Sequence, residues 1–419
     1  MIYVVVGSGP AGVVAAERLR KLDPLANITL IGSEPEPPYS RMAIPYYLTD
    51  KIQENGTYLR KTAMHFEKLK IELVQKTVTS IDTEFNRLIT DDGSVRRYDK
   101  LLLATGASPV VPPVPGIDSP GVHNCWTLED ARHIVKLAKP GANVVLMGAG
   151  FIGCIILESL ALRDVNLTVV EMENRMVPRM MNDISGNMIK SWCEKKGVSV
   201  HTSTRAESIE QLGGGKLRVS LSTGQSVDAD LVISATGVAP NMGFIADSGL
   251  HTDQGILVND YLQTSDADIY AAGDVCQGKD FNTGEYTVQA IQPTAVEHAK
   301  VAASNMVRGH RSEHVGNLNM NVLDTIGLVS ASFGQWMGVP GGDSSELVNE
   351  PEHKYLNLQF KDDVIVGASS LGLTQHVGVL RGLIQSQTRL GPWKERLKKD
   401  PMRLMEAYLA CSQSQVTAA

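Results

Sequence analysis

Ile2 to Val6 form an unbroken apolar run, the pattern of a strand buried on both faces. Residues 11–22 then change period. Val14, Ala15, Leu19 and Leu22 recur at helical spacing, with Glu17, Arg18 and Lys21 elsewhere, which predicts an amphipathic helix. A strand over 28–31 follows. The same plan returns later: Val144 to Met147 are apolar, a helix-like stretch comes next, and Leu167 to Val170 read as a strand ending at Glu171. Strands near 71–81 and 86–90 are expected to flank the turn Asp91-Asp92-Gly93. The strand Leu101 to Leu103 runs into Ala104-Thr105-Gly106, and Leu231 to Ser234 runs into Ala235-Thr236-Gly237, so one such junction falls in each half. That is an internal repeat at domain scale.

The remaining elements fill in around this repeat. A helix is expected near 127–138, and the cluster Pro109, Pro112, Pro113 and Pro115 reads as a linker. The short strand Ile269-Tyr270 leads into Ala271-Ala272-Gly273-Asp274, followed by a helix over about 294–307. Beyond residue 313 the character changes. Strands over 355–360 and 364–368 and helices near 376–387 and 400–411 predict a smaller α+β domain.

The strand-to-helix turns carry the chemistry. The first is Gly7-Ser8-Gly9-Pro10-Ala11-Gly12 and the second Gly148-Ala149-Gly150-Phe151-Ile152-Gly153. In such a turn the first glycine permits the sharp exit from the strand. The second lets the backbone approach a pyrophosphate, and the third lets the helix pack on the sheet. The anion rests on the free N–H groups at the helix start. One such turn is weak evidence, but two in strand–turn–helix context, each with a downstream acid, indicate two dinucleotide sites. Glu171 stands at a strand end, 18 residues past Gly153. A carboxylate there bonds the ribose hydroxyls and repels a 2′-phosphate, which favours NAD over NADP, although Arg175 lies close.

Composition narrows the class. The chain has 419 residues, 43% apolar and 20% charged, which suits a globular protein of two or three domains. A net charge of -7 argues against nucleic-acid binding. No apolar run approaches the ~20 residues that span a bilayer, and no basic stretch precedes an apolar one at the start, so a cytoplasmic location is expected. Cys125, Cys154, Cys193, Cys276 and Cys411 are too scattered for a local redox pair or cluster motif, and the ten histidines form no paired metal motif, so no metal site is expected.

With both glycine turns, both Ala-Thr-Gly junctions, Val238-Ala239-Pro240-Asn241 and Ile269 to Asp274 in this order, the chain resembles the pyridine nucleotide–disulfide oxidoreductase superfamily over roughly residues 1–310. The resemblance implies an α/β fold: two Rossmann-like dinucleotide-binding domains plus a C-terminal α+β interface domain. It places an FAD domain at 1–118 and 245–312, an NAD domain at 119–244 and the interface domain at 313–419. Gly7, Gly9, Pro10, Ala11 and Gly12 would cradle the FAD pyrophosphate, and Glu34, 22 residues after Gly12, would take the adenosine ribose. Arg41, Val78, Ala104, Thr105 and Gly106 would line the same cofactor. Gly273 and Asp274 would meet the ribityl chain, and Thr294 would open a helix aimed at the flavin. Gly148, Gly150, Phe151, Ile152, Gly153, Glu171 and Gly237 would hold NAD. Catalysis would be the flavin's own, with no catalytic side chain.

Departures from the family pattern sharpen the expectation. The stretch Ser40 to Tyr47 has no cysteine where disulfide reductases and thiol peroxidases carry one. Its Pro38-Tyr39-Ser40-Arg41 instead resembles the ferredoxin, rubredoxin and nitrite reductase branch, with Tyr46 where that branch has a lysine. Ile155 stands where the family commonly has a glutamate near the nicotinamide, with Glu158 one turn on. Leu390-Gly391-Pro392-Trp393-Lys394 and Asp400 to Ala407 resemble the tail of NADH-handling flavin subunits of the phenylglyoxylate dehydrogenase type, within 2-oxoacid:acceptor oxidoreductases. The leading expectation is an enzyme that passes electrons between NAD(H) and an iron–sulfur partner protein or subunit through FAD. Lys394, Arg396, Lys398 and Lys399 are a candidate docking patch or a solvated helix end. The alternatives are a stand-alone ferredoxin or rubredoxin reductase, an NADH oxidase, and a non-enzymatic NADH-responsive flavoprotein.

Overall fold

A computed structural model describes residues 1–416 of the chain. By backbone packing it divides into two compact units, Met1–Ser108 with Val238–Asn317, and Pro109–Gly237 with Leu318–Ala419. Each unit is built around a five-stranded parallel sheet.

In the first unit the strand order is Ile269–Ala271, Lys100–Leu103, Ile2–Val6, Asn27–Gly32, Ile71–Gln75, every neighbour parallel. Parallel strands need crossovers on the sheet faces, so the central strands are buried on both sides and their sequences are continuously apolar. The helix Pro10–Leu22 covers one face and packs along the helix Gln292–Arg308. Small residues at the contact (Ala11, Ala15 and Ala16 on one helix, Ala299, Ala302 and Ala303 on the other) let the two backbones approach, and all are buried. Leu19 is fully buried beneath them and contributes about 1.5–3 kcal/mol by leaving water.

The second unit repeats the order as Ser199–His201, Asn166–Val170, Asn143–Met147, Leu231–Ser234, Val122–Asn124, again all parallel. Its C-terminal part is a five-stranded antiparallel sheet ordered Met320–Thr325, Leu328–Gly334, Val364–Leu371, Lys354–Lys361, Asp343–Asn349. The helix Phe151–Ala161, which starts at the second glycine turn, packs on its edge strand Met320–Thr325.

Several expected elements are corrected. Residues 71–81 are two strands in different sheets, Ile71–Gln75 and Val78–Asp82, because pairing switches from parallel to antiparallel across Lys76 and Thr77. The turn Asp91-Asp92-Gly93, expected between strands at 71–81 and 86–90, instead joins Arg87–Thr90 to the unexpected strand Val95–Arg97. The helix expected over 400–411 begins later, at Leu404, after a separate helix Trp393–Lys399 and a short turn Pro401–Arg403. Pro401 has no N–H to continue a helix, and the Asp400 side chain takes the Met402 N–H at 3.0 Å.

Candidate functional site

At the first glycine turn the Gly7 N–H donates to the Ile31 carbonyl at 2.7 Å, which stitches the turn to the neighbouring strand. Gly7 has φ +112°, and a Cβ there would lie 2.0 Å from the Ala104 carbonyl oxygen. The close approach brings the Ala104-Thr105-Gly106 loop against the turn. Gly12 is equally constrained, with a virtual Cβ 1.8 Å from the Gly7 oxygen. Gly9 differs: nothing lies within 4 Å of its virtual Cβ. Gly9 is also the N-cap of the following helix and offers no side-chain cap, and Pro10 sits in the first turn. The first intrahelical bond runs from the Val13 N–H to Gly9 at 3.0 Å, so the Ala11 and Gly12 N–H groups lie ahead of it. An open mouth over a helix N-terminus is an anion seat.

The distant motifs converge on this mouth. A Cβ on Gly273 would sit 3.4 Å from both Ala11 Cβ and Ala295 Cβ, so the Gly273-Asp274 turn lies between the starts of two helices. Thr294 and Ala295 are buried in the first turn of Gln292–Arg308. Ser40 Oγ donates to Gln292 Oε1 at 2.8 Å, which pins the Pro-Tyr loop to the same helix start. The partly buried Asp274 carboxylate meets no donor among the described residues. Burial raises its pKa, partly offset by the charge of Arg41. Asn241, which the motif contained but to which no role had been given, clamps the Ala-Thr-Gly loop. It donates from Nδ2 to the Thr105 carbonyl at 2.9 Å and from its N–H to Gly106 at 2.9 Å, and accepts from Thr105 Oγ1 at 3.0 Å.

The acid of this half is displaced for a visible reason. Gly32 ends the strand, and a Cβ there would lie 2.3 Å from Ser8 Oγ. Glu34, two residues on, is held instead by a clamp that the sequence did not reveal. Tyr39 Oη donates to its Oε2 at 2.5 Å, and Arg41 donates to its Oε1 at 2.7 Å and to Tyr39 Oη at 3.0 Å. Val78 is buried at the head of its strand, just past Lys76, whose N–H bonds the Gly32 carbonyl at 2.9 Å.

The second turn repeats the geometry. Gly148 donates to Val170 at 2.8 Å and has φ +99°; its virtual Cβ is 2.5 Å from the Ala235 oxygen. Gly153 presses on Gly148 at 2.2 Å, and Gly150 is open. Here the strand end carries the acid itself. Glu171 is buried, accepting the Ala149 N–H at 2.6 Å and the Glu173 N–H at 2.8 Å. By register it stands where Gly32 stands in the first unit. Phe151 and Ile152 begin the helix, half-buried, and Gly237 has φ +127° with nothing within 4 Å of its virtual Cβ. Arg175 is spent on its own loop. It donates to Met181 and Pro178 carbonyls at 2.8 and 3.2 Å, and to Asn174 and Asp183 side chains at 2.8 and 2.7 Å.

The five cysteines are buried and none is in a disulfide, and burial pushes the Cys125 and Cys193 thiols up to about 12. A thiol held so high is no nucleophile. Among the described residues no three metal-ligating side chains stand together, and no helix is long and apolar enough to cross a membrane.

Comparison with known proteins agrees with this geometry. The pyridine nucleotide-disulphide oxidoreductase family matches residues 1–305. The chain is 30% identical over 403 residues to the NADH-dependent phenylglyoxylate dehydrogenase subunit epsilon of Aromatoleum evansii, covering 96% of this chain and 95% of that one. The chain belongs to the pyridine nucleotide-disulphide oxidoreductase family. It is an FAD-dependent NAD(H) oxidoreductase. It is also 34% identical over 315 residues to an NADH oxidase of Methanocaldococcus jannaschii, covering 73% of this chain and 70% of that one. A ferredoxin reductase from Rhodopseudomonas palustris superposes with a TM-score of 0.87 at 25% identity, covering 97% and 99% of the two chains. The residues present fit a flavin dinucleotide: open space at Gly9, uncapped helix N–H groups and a carboxylate without a protein donor lie at one mouth.

Proposed function

We propose that this chain exchanges electrons between NAD(H) and a one-electron iron–sulfur partner, as the NAD-handling subunit of a 2-oxoacid dehydrogenase complex. The carrying observation is likeness along nearly the whole chain, C-terminal sheet and helices included, to the phenylglyoxylate dehydrogenase subunit epsilon. Bound FAD supplies the conversion between a hydride pair and single electrons. The chain's own residues do the rest. Gly9 and the N–H groups of Ala11 and Gly12 seat the pyrophosphate. Glu34, oriented by Tyr39 and Arg41, takes the adenosine ribose, with Val78 beside it. Asp274 accepts from the ribityl hydroxyls, and Ala104 to Gly106 back the cofactor. The helix, which opens at Gln292 rather than Thr294, has Thr294 in its first turn and would place its positive dipole end toward the ring.

On the other turn, Gly148, Gly150 and Gly153, with Phe151 and Ile152, seat the NAD pyrophosphate, and Glu171 takes the ribose. Gly237 leaves room for the nucleotide. The bonds that occupy Arg175 support NAD over NADP. The C-terminal motif has a structural job as well. Leu390 and Gly391 bond Asp363 at 2.9 and 2.8 Å, and Lys394 and Lys398 pair with Asp343 at 2.7 and 3.5 Å, so the basic run is partly neutralised.

A second reading, a stand-alone NADH oxidase, is favoured by the 34% identity to the Methanocaldococcus jannaschii protein. Acceptor competition separates them. With NADH, a ferredoxin or one-electron dye is expected to be reduced at least about tenfold faster than oxygen is consumed. Oxygen consumption that matches NADH use in the presence of ferredoxin would favour the oxidase.

A further inference from the structure

The mouth that receives Asp274 is braced from behind by a chain of three buried side chains. His298 lies nearly two turns into the helix Gln292–Arg308, and its ring faces the Gly273-Asp274 turn from inside the core. His298, His314 and Asn317 are exposed by only 2%, 3% and 5%. The Gly273 N–H donates to His298 Nδ1 at 3.4 Å. Asn317 Nδ2 lies 2.6 Å from His298 Nε2, and Asn317 Oδ1 lies 3.2 Å from His314 Nε2. The two imidazoles meet edge to face with centroids 4.8 Å apart.

The Gly273 contact sets the tautomer. A ring nitrogen that accepts the Gly273 N–H carries no proton, so in a neutral imidazole the proton is on Nε2. That proton calls for an acceptor, so the Asn317 amide is assigned turned over from its placement, with its oxygen on His298 Nε2 and its NH2 toward His314. Asn317 is itself fixed, donating its N–H to the Lys279 carbonyl at 3.0 Å and accepting the Phe281 N–H at 2.9 Å. Burial keeps His298 neutral, with its pKa pushed down to about 3, and the neighbouring His314 adds to the same effect. Gly273 itself has φ +76°. A left-handed glycine has many alternatives open to it, so an external bond to its N–H selects one. The direction of the next side chain, Asp274, follows from that choice.

We propose that His298 is a positioning residue: with Asn317 and His314 behind it, it holds the Gly273 N–H so that the Asp274 carboxylate points into the flavin mouth. The proposal rests on the reading of Asp274 as an FAD ligand. A charged or Nδ1-protonated imidazole would repel the Gly273 N–H instead of accepting it. The relay therefore works in one protonation state only, and its place in the core maintains that state.

Two measurements test it. In 15N-histidine-labelled holoprotein, His298 is expected as the neutral Nε2–H tautomer, and an Nδ1–H tautomer overturns the proposal without any substitution. The second measurement compares FAD dissociation constants, from flavin fluorescence, for Asp274→Asn, His298→Met, His298→Gln and the double variant Asp274→Asn with His298→Met. His298→Met is expected to weaken FAD binding about tenfold, since it removes an acceptor from a buried donor. His298→Gln, whose amide oxygen also accepts, is expected to recover most of that loss. The double variant is expected to bind within about twofold of Asp274→Asn alone, because both changes break one unit. Single effects that multiply in the double variant would show His298 to be core packing only. If Asp274→Asn leaves FAD binding unchanged, the assignment of Asp274 falls and the proposal falls with it. If Asp274→Asn weakens binding while His298→Met does not, only the positioning role falls.

Discussion

Gly9 and Gly150 stand at the open mouths of their turns, whereas Gly7 and Gly12 are jammed against backbone. The contrast separates binding from folding. Gly9→Ala is expected to leave the melting temperature of the apoprotein unchanged while weakening FAD at least about tenfold, because the methyl occupies the pyrophosphate seat. Gly7→Ala forces a Cβ to 2.0 Å from the Ala104 oxygen and is expected to destabilise the fold by about 3 kcal/mol or more. Calorimetry and flavin fluorescence on both variants check the pair. Asp274 predicts a pH signature. Burial raises its carboxyl pKa, so the folded chain holds that proton more tightly than the unfolded chain does. Its contribution is complete below the ordinary carboxyl pKa and is lost as pH rises through the raised one. Asp274→Asn removes that loss. The variant apoprotein should melt above wild type near pH 7, the gap should close toward about pH 4, and FAD should bind more weakly throughout. Equal melting at both pH values would show that the buried charge costs nothing. The glycines and Glu171 were legible in the sequence because turn geometry and a strand end demand those residue types, whereas Asp274 was reached through the family resemblance. The Tyr39–Arg41 clamp on Glu34 and the Ser8–Gly32 fit were not, since they depend on side chains meeting across a loop.

At the scale of elements, the central parallel strands were readable because burial on both faces makes them continuously apolar, whereas the short edge strands Val122–Asn124 and Ser199–His201 were missed. The C-terminal sheet was half legible. Its strands Lys354–Lys361 and Val364–Leu371 were expected, but Leu328–Gly334 is rich in small and polar residues, and Met320–Thr325 and Asp343–Asn349 are edge strands with too many polar residues to show a period. The helix Asp183–Lys195 was also missed, because Ser185, Gly186 and Asn187 sit in its opening turns and are poor helix formers. It forms because Asn182 caps it, accepting the Ser185 N–H at 3.0 Å. Asn182 Nδ2 also donates to Tyr355 Oη at 2.6 Å, which ties the helix start to the C-terminal sheet. Asn182→Ala is expected to cost about 1–2 kcal/mol in chemical denaturation and to leave NADH affinity unchanged. A large loss of NADH affinity would mean that this helix shapes the nucleotide seat.

For the whole molecule, the chain holds two copies of one strand–glycine turn–helix arrangement, which we propose seats an anion on each helix start beside a ribose acid. The copies differ at the strand end. Glu171 occupies the strand end in one, and in the other Ser8 fills that place and passes the acid on to Glu34. The domain-scale repeat made this visible from the glycines alone. Exchange between the two nucleotides is the claim on which the rest depends, and Ile155, standing where the family commonly has an acid, puts it at issue. The direct test is an anaerobic titration of the purified flavoprotein with NADH, following the visible flavin band. Bleaching complete near ~1 equivalent of NADH per FAD is the predicted result. A flavin that stays oxidised under excess NADH, yet bleaches with dithionite, would contradict the account.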